Sequence, residues 1–154
     1  SCRAYAKKAL FRHAKLTNIW SYILELMMAT DKRYEFSVSV ETAYIADQSD
    51  VEQNRYVFSY TITITNTGNM AAQLISRHWV ITDATRSVQE VRGLGVVGEQ
   101  PLLKPGEHYQ YTSGSVLNTP DGTMRGSYHM TAEDGTQFDT PIAPFTLSMP
   151  RVLH

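Results

Sequence analysis

The segment YVFSYTITITNTGN, residues 56–69, decides the fold, because large apolar or aromatic side chains stand at every second position up to residue 64. Successive side chains of a β-strand point to opposite faces, so the alternation predicts a strand with one dry and one wet face. The turn formers Asn66-Thr67-Gly68-Asn69 end the strand. The chain is therefore expected to build a sheet around this segment.

Other segments on both sides of this strand carry the same period of two or are rich in β-branched and aromatic residues. Asp134-Gly135 additionally predicts a hairpin turn. Turn signals separate the segments, and no helical pattern intervenes. The sequence therefore predicts an all-β fold, an immunoglobulin-like or fibronectin III-like antiparallel β-sandwich of about seven or eight strands. The further predicted strands are 34–41, 74–83, 88–91, 108–113, 124–131, 137–139 and 145–149.

The first 29 residues differ from the rest. Apolar residues between Leu16 and Met27 follow the spacing of one helical face, so residues 4–28 can form an amphipathic helix. Its basic early part is also typical of membrane-surface helices and organellar presequences. Because Met28 would make a natural start, we favour the other interpretation: residues 1–29 are a helical or disordered extension, accessory or not part of the functional protein. Residues 30–154 are then the sandwich domain.

Cysteine content and charge narrow the possible functions. Cys2 is the only cysteine, which excludes an internal disulfide framework and a CxxC site and favours a reducing, cytoplasmic location. The net charge of -1 hides a basic N-terminal segment, so the predicted sandwich is acidic and is not expected to bind nucleic acid. No stretch is long and apolar enough to span a membrane.

The segment Gly93-Leu94-Gly95-Val96-Val97-Gly98 has the G-x-G-x-x-G spacing of dinucleotide-binding sites. In those sites a helix follows the glycines and its N-terminal amides hold a pyrophosphate. Pro101 and Pro105 would interrupt such a helix here, so a tight inter-strand loop with positive φ is the favoured interpretation. The alternative is an anion-binding loop of backbone amides at Gly93, Gly95 and Gly98, with Arg92 supplying charge.

The segment Arg77-His78-Trp79 lies within a predicted strand, so Arg77 and Trp79 share a face that His78 does not. Arg77 could clamp an anion beside the aromatic ring. The favoured alternative is a Trp79 that packs in the sandwich and an Arg77 in a structural pair.

No motif for a metal, a cofactor or catalysis stands out. The histidines show no H-x-H or HExxH spacing, and the acidic cluster at 47–52 does not match a calcium loop. The serines show no G-x-S-x-G elbow. We therefore expect no metal site, no cofactor, no catalytic residue and no enzymatic activity.

Six motifs occur together in the chain: Arg77-His78-Trp79, Ile81-Thr82-Asp83, Gly93–Pro101, Pro105-Gly106-Glu107, Tyr111–Gly114 and Gly122–Tyr128. Their joint pattern, over residues 30–154, resembles the ApaG (CorD) family. That resemblance implies a fibronectin-type sandwich in the bacterial cytoplasm, a genetic link to cobalt tolerance and magnesium efflux, and use of the domain as an interaction module in eukaryotic relatives. It implies no catalytic residues. The segment Ala84–Ser87 replaces the family's usual Asn/Gly-containing turn.

Two functional hypotheses follow. The first is a noncatalytic binding module that contacts another protein, or a second copy of itself as a homodimer, through strand edges and loops. The second is a sensor that binds a pyrophosphate-containing nucleotide, or a divalent cation as its phosphate complex, at the Gly93–Gly98 loop.

Overall fold

The computed structural model describes residues 19–21, 23 and 32–151. Residues 19–21 and 23 are helical. The other positions of the helix expected over residues 4–28 lie outside the described residues. The chain from Lys32 onward forms a unit of its own.

The unit consists of eight β-strands and three short 3₁₀ turns, at Lys32–Tyr34, Ala46–Gln48 and Val51–Gln53. Every strand pairs antiparallel with its neighbours. The strands are β1 (Phe36–Tyr44), β2 (Tyr56–Asn66), β3 (Ala72–Asp83), β4 (Val88–Leu94), β5 (Leu102–Leu103), β6 (His108–Leu117), β7 (Asp121–Ala132) and β8 (Gln137–Ser148).

These strands form two sheets. The first has the order β1-β2-β6, and the second has the order β4-β3-β7-β8, with β5 paired to the start of β3 beyond the end of β4. Strand β2 is central in the first sheet, so both its neighbours take their register from it. The predicted antiparallel β-sandwich is confirmed.

The core lies between the sheets and is built from the inward rows of β2, β3 and β7. The alternation quoted from residues 56–64 is the inward row of β2, and Ile62 and Ile64 have no exposed surface. Trp79 of β3, with 2% of its surface exposed, packs on this row: its ring centroid lies 5.4 Å from that of Tyr60. The apolar area removed from water by these rows is the main stabilising contribution to the fold.

The C-terminal strands differ from the prediction. Residues 137–139 and 145–149 were expected to form two strands, but Gln137–Ser148 is one strand that contains Pro141 and Pro144. A proline is tolerated where its missing N–H would face away from a neighbour, and β8 is an edge strand with β7 on one side only. The two-residue strand β5 was also not predicted, because pairing with β3 rather than local pattern defines it.

The turn after Asp83 works without the Asn or Gly that the resemblance leads one to expect. The Asp83 carboxylate accepts hydrogen bonds from the Thr85 amide (2.8 Å), the Thr85 hydroxyl (2.7 Å) and the Ser87 amide (3.0 Å). The hydrogen bond from the Thr85 hydroxyl is the main reason that the pKa of Asp83 is lowered. Arg86 takes the left-handed position, with φ of 67°. The carboxylate thus stabilises a turn in a less favourable backbone conformation.

A buried hydrogen bond between two tyrosine side chains joins the two sheets. The hydroxyl groups of Tyr111 on β6 and Tyr128 on β7 lie 2.5 Å apart. Burial raises the pKa of both phenols above the usual 10, so both stay neutral at physiological pH. One hydroxyl donates to the other, so that each oxygen has a partner inside an apolar core, where an unpaired hydroxyl would be costly.

This pair predicts a non-additive effect on stability. Replacing one partner, by Tyr111→Phe or Tyr128→Phe, should lower the free energy of unfolding by about 1–3 kcal/mol, because the remaining hydroxyl is buried without its partner. The double variant should lose clearly less than the sum of the single losses. Denaturant unfolding of the four proteins measures this coupling, with Tyr109→Phe as the matched tyrosine control. Strict additivity would contradict the interpretation.

Candidate functional site

The sandwich is closed by aromatic side chains on one side and open on the other. On the closed side, the Phe138 ring of β8 lies 5.3 Å from the Tyr34 ring and 6.1 Å from the Phe36 ring. The Tyr34 hydroxyl donates to the Asp134 carboxylate at 2.6 Å. On the open side, β4 and β6 are the edge strands of the two sheets. This side is the first candidate site.

A groove of about 320 Å³ runs between the edges of β4 and β6, and we call it the edge groove. Its floor consists of Tyr60, Trp79 and Ile81, which are buried in the core. Segment 113–116 of β6 forms one wall, and Gln89 and Val91 of β4 lie on the other. The groove therefore offers an apolar floor between two polypeptide edges.

The glycine-rich segment connects β4 to β5 and contains no helix. Val96 and Glu99 exchange backbone hydrogen bonds of 2.8 and 2.9 Å, which makes Val97-Gly98 a two-residue turn. Both turn residues have positive φ, 44° for Val97 and 79° for Gly98, as does Gly95 at 60°. The expected inter-strand loop with positive φ is confirmed. A dinucleotide-type helix after Gly98 is excluded, since residues 102–103 are the next regular element.

Val97 and Val96 have opposite roles in this turn. Val96 has no exposed surface and belongs to the core, so it anchors the loop to the sandwich. Val97 is 56% exposed and is a β-branched residue at positive φ, a conformation that such residues rarely adopt. The structure thus presents an apolar side chain to solvent at a backbone position where glycine or asparagine would be less strained.

Arg77 holds the loop in place. Its Nη1 atom donates to the carbonyl oxygens of Leu94 at 3.0 Å and Gly95 at 2.8 Å. A Cβ atom on Gly93 would stand 2.8 Å from Nη2 of Arg77, so Gly93 is needed to make room for the guanidinium. The expected structural pair of Arg77 is therefore formed with backbone carbonyls, and Gly93 serves it by steric contact and not by positive φ.

Most loop amides that a bound anion would need already donate within the protein. The Gly95 amide donates to Ile75 at 2.8 Å, and the Val96 and Glu99 amides donate within the turn. Gly98 lies at the tip, with nothing within 4 Å of the position of a Cβ. Any anion at this loop would therefore depend on the turn-tip amides and on neighbouring side chains.

The second candidate site is a shallow depression of about 570 Å³, which we call the outer depression. It lies on the face of the second sheet that points away from the core, beside Gly93. Arg92 and His78, which are cross-strand partners, both line it. Nε2 of His78 is buried and lies 3.6 Å from the Glu90 carboxylate, which is within ion-pair range but too long for a hydrogen bond. The outer depression therefore combines the Arg92 guanidinium with the unsatisfied ring nitrogen of His78, and Arg77 and His129 also line it.

His129, on the same face, is held between two acceptors. Its Nδ1 lies 2.8 Å from Oδ1 of Asp139, and its Nε2 lies 3.1 Å from Oε1 of Gln137. The hydrogen bond to Asp139, followed by the one to Gln137, raises the pKa of His129 above 6.5. A ring with acceptors at both nitrogens is best satisfied as the doubly protonated cation.

The predicted site residues thus separate into two groups. Arg77 and Trp79 meet at the edge groove, whereas His78, Arg92 and Gly93 line the outer depression, which Arg77 also borders. Sequence reasoning missed Tyr60 and β6 as parts of a site. The one available signal for β6 was the absence of charge and proline in residues 108–117. Within residues 19–21, 23 and 32–151, no three His, Cys, Asp or Glu side chains form a metal-binding group, and no helix could cross a membrane.

The His129 contacts predict a pH dependence. Because the folded-state pKa is raised, the contribution to stability is fully present below the unfolded pKa of about 6.5 and is lost as pH rises through the folded value. Asp139→Asn should bring the His129 pKa down towards 6.5 and reduce this pH dependence, with the Gln137 contact remaining. Histidine NMR titration measures it, with Asp121→Asn, a carboxylate at the far end of the same strand pair, as the control. An unchanged His129 pKa in Asp139→Asn would refute the assignment.

A family model, two relatives and a solved structure agree on the family of this chain. The family model described as ApaG domain matches residues 46–132. The chain is 76% identical over 127 residues to Protein ApaG of Methylobacillus flagellatus, a match that covers 82% of this chain and 100% of the relative. It is 67% identical over 127 residues to Protein ApaG of Thiobacillus denitrificans, again over 82% of this chain and 100% of the relative. The crystal structure of the putative ApaA protein from Bordetella pertussis, 59% identical, superposes with a TM-score of 0.77 and covers 80% of this chain and 100% of that one. The chain therefore belongs to the ApaG family.

Proposed function

We propose that this protein is a noncatalytic module that binds another protein at the open side of the sandwich. The observation that carries the proposal is the edge strand β6, His108–Leu117, which contains no Asp, Glu, Lys, Arg or Pro. Natural sheets usually protect their edges with such residues, because an unprotected edge pairs with other chains. A ten-residue edge without them is suited to accept a partner strand.

The other sheet edges are protected. Strand β4 carries Glu90 and Arg92, β8 carries Pro141 and Pro144, and β1 carries Glu41. These charges and prolines disfavour addition of a further strand. The contrast supports β6 as the contact edge.

Exposed apolar side chains lie at both ends of the open side. Leu94 is 76% exposed, Val97 56% and Leu102 58% near the glycine-rich loop, and Val88 and Val116 are exposed at the opposite end. Single exposed apolar residues are ordinary, but a group of them spread over β4, β5, β6 and the loop after β4 is typical of an interaction surface. A bound protein would remove them from water.

The cellular role is proposed from the resemblance alone. We place the module in the bacterial cytoplasm and connect its binding activity with cobalt tolerance and magnesium efflux, as the ApaG (CorD) resemblance implies. Its effect on divalent cations would then be exerted through the bound protein. This placement agrees with a sequence whose only cysteine is Cys2.

Site-specific photo-crosslinking in cells tests the proposal. A photoreactive amino acid in place of Gln110, an exposed residue of β6, should give one or more discrete protein adducts. The same amino acid in place of Ser39, an exposed residue on the opposite edge of that sheet, is the control and should give few. Equal adduct patterns at both positions, or none at Gln110, would count against the proposal.

A second candidate function is supported by the outer depression. Arg92 and the unsatisfied His78 ring nitrogen beside Gly93 could hold the phosphate groups of a pyrophosphate-containing nucleotide, or of a phosphate complex of a divalent cation. The internal bonding of the Gly95, Val96 and Glu99 amides weakens the part of this proposal that rests on the loop itself.

NMR titration with ATP and diadenosine tetraphosphate, with and without magnesium or cobalt, tests this candidate. Binding should shift the amide signals of Gly93 and Gly98 and the ring signals of His78. Arg92→Gln should weaken binding roughly ten-fold, since charge-assisted hydrogen bonds contribute about 1.5–3 kcal/mol. Unmoved signals at millimolar ligand would eliminate the candidate.

A further inference from the structure

We propose that the edge groove binds an extended peptide that adds to β6 and places a carboxylate on Arg77. This inference rests on the proposed protein-binding function and specifies the chemistry of the partner. Three features carry it: a cation without a counter-ion, a row of outward backbone groups, and an aromatic floor.

Arg77 is a cation without a carboxylate in ion-pair range in the part of the chain that the structure describes. Its two hydrogen bonds go to the neutral carbonyls of Leu94 and Gly95. Throughout the described residues, no carboxylate oxygen lies within 4.0 Å of its guanidinium. Arg77 is nevertheless only partly exposed and lines the edge groove. A guanidinium in such surroundings favours an incoming carboxylate, which can take two parallel hydrogen bonds.

The direction of the free backbone groups of β6 follows from the ladder with β2. The Asn66 amide donates to the Glu107 carbonyl at 2.9 Å, so this pair is of the hydrogen-bonded type. Pair types alternate along an antiparallel ladder, and the register runs without a shift from Thr65↔His108 to Tyr56↔Leu117. The odd-numbered residues of β6 therefore bond to β2, and the N–H and C=O groups of the even-numbered residues, Thr112 among them, point away from it. These groups can bond an added strand.

The floor of the groove fits the side chains of such a strand. From Arg77 to Ile81 the groove follows β3 over four residue steps, which corresponds to about 13 Å of extended chain. In a bound strand, side chains of alternate residues point to one face. A carboxylate at the Arg77 end would thus be followed, two and four positions away, by side chains over Trp79, Tyr60 and Ile81. Apolar residues at those positions would pack on the floor.

Electrostatics favour a carboxylate-bearing peptide over an apolar one. Ser113 and Ser115 line the groove without charge, and the nearest residues of β4 in the lining are Gln89 and Val91. Arg77 is therefore the one charged side chain among the groove residues that the structure describes. The carboxylate can be an Asp or Glu side chain or a free C-terminus, since both present the same two oxygens.

Peptide selection on the full chain tests the inference. Two random heptapeptide libraries, one displayed with free C-termini and one displayed internally, distinguish a terminal from a side-chain carboxylate. Selected peptides should carry a terminal or a side-chain carboxylate, with apolar residues at alternate positions. Synthetic copies, titrated by calorimetry, should bind about ten-fold more tightly than counterparts in which the carboxylate is an amide, as expected for a charge-assisted hydrogen bond.

Variants assign the contacts. The Arg77→Gln variant should bind the acid and amide peptides equally. The Arg77→Lys variant should keep part of the preference for the acid peptide. Thr112→Pro removes an outward N–H and should weaken both peptides, whereas Thr112→Val keeps the N–H and should bind as the unaltered protein does. Two-dimensional amide spectra establish that each variant is folded.

The outcomes separate this inference from the proposed function. Selected peptides without an acidic preference, or no selected peptide, together with crosslinks at Gln110, would overturn the peptide chemistry and leave protein binding standing. If selection gives no peptide with an acidic preference and Gln110 gives no crosslinks, both the inference and the proposed protein-binding function would be overturned. Concentration-dependent dimerisation that Thr112→Pro abolishes would instead identify a second copy of this chain as the occupant of the β6 edge and would overturn the inference.

Discussion

The inward row of β2 is the constraint on which the rest of the structure depends. Tyr60, Ile62 and Ile64 are buried between the sheets, and β2 is the central strand of the first sheet. A shift of β2 by one residue would turn this row towards solvent and replace it with serine and threonine. Because β1 and β6 both take their register from β2, this one burial requirement also determines which face of each neighbour points into the core.

The glycine-rich loop shows how a motif acquires a structural role that differs from its usual one. Gly93 makes room for the Arg77 guanidinium, while Gly95 and Gly98 take backbone angles suited to glycine. Val96 fixes the loop by burying its side chain. Similar spacing in a dinucleotide-binding fold works through a following helix, which is absent here between residues 99 and 106. In this protein the glycines thus position the Arg77 guanidinium beside the edge groove, and they do not form a helix-based phosphate site.

The two sides of the sandwich are unequal, and this inequality connects the fold with the proposed function. Aromatic contacts around Phe138 cover the side between β1 and β8. The side between β4 and β6 keeps an open groove over the core residue Trp79. An uncharged edge, an apolar floor and an unneutralised cation therefore occur together on the side that no further strand of the described chain covers.

The sequence by itself determined the fold class, the central strands and the loop character of Gly93–Gly98, because period-two burial and proline restrictions are local properties. It did not determine that Gln137–Ser148 is one strand, since tolerance of Pro141 and Pro144 depends on β8 lying at an edge. Nor could it bring Arg77 and Trp79 to the groove segment 113–116 of β6, which lies more than thirty residues further along the chain. That placement depends on which strands end up at the sheet edges, and only the packing of the two sheets decides it.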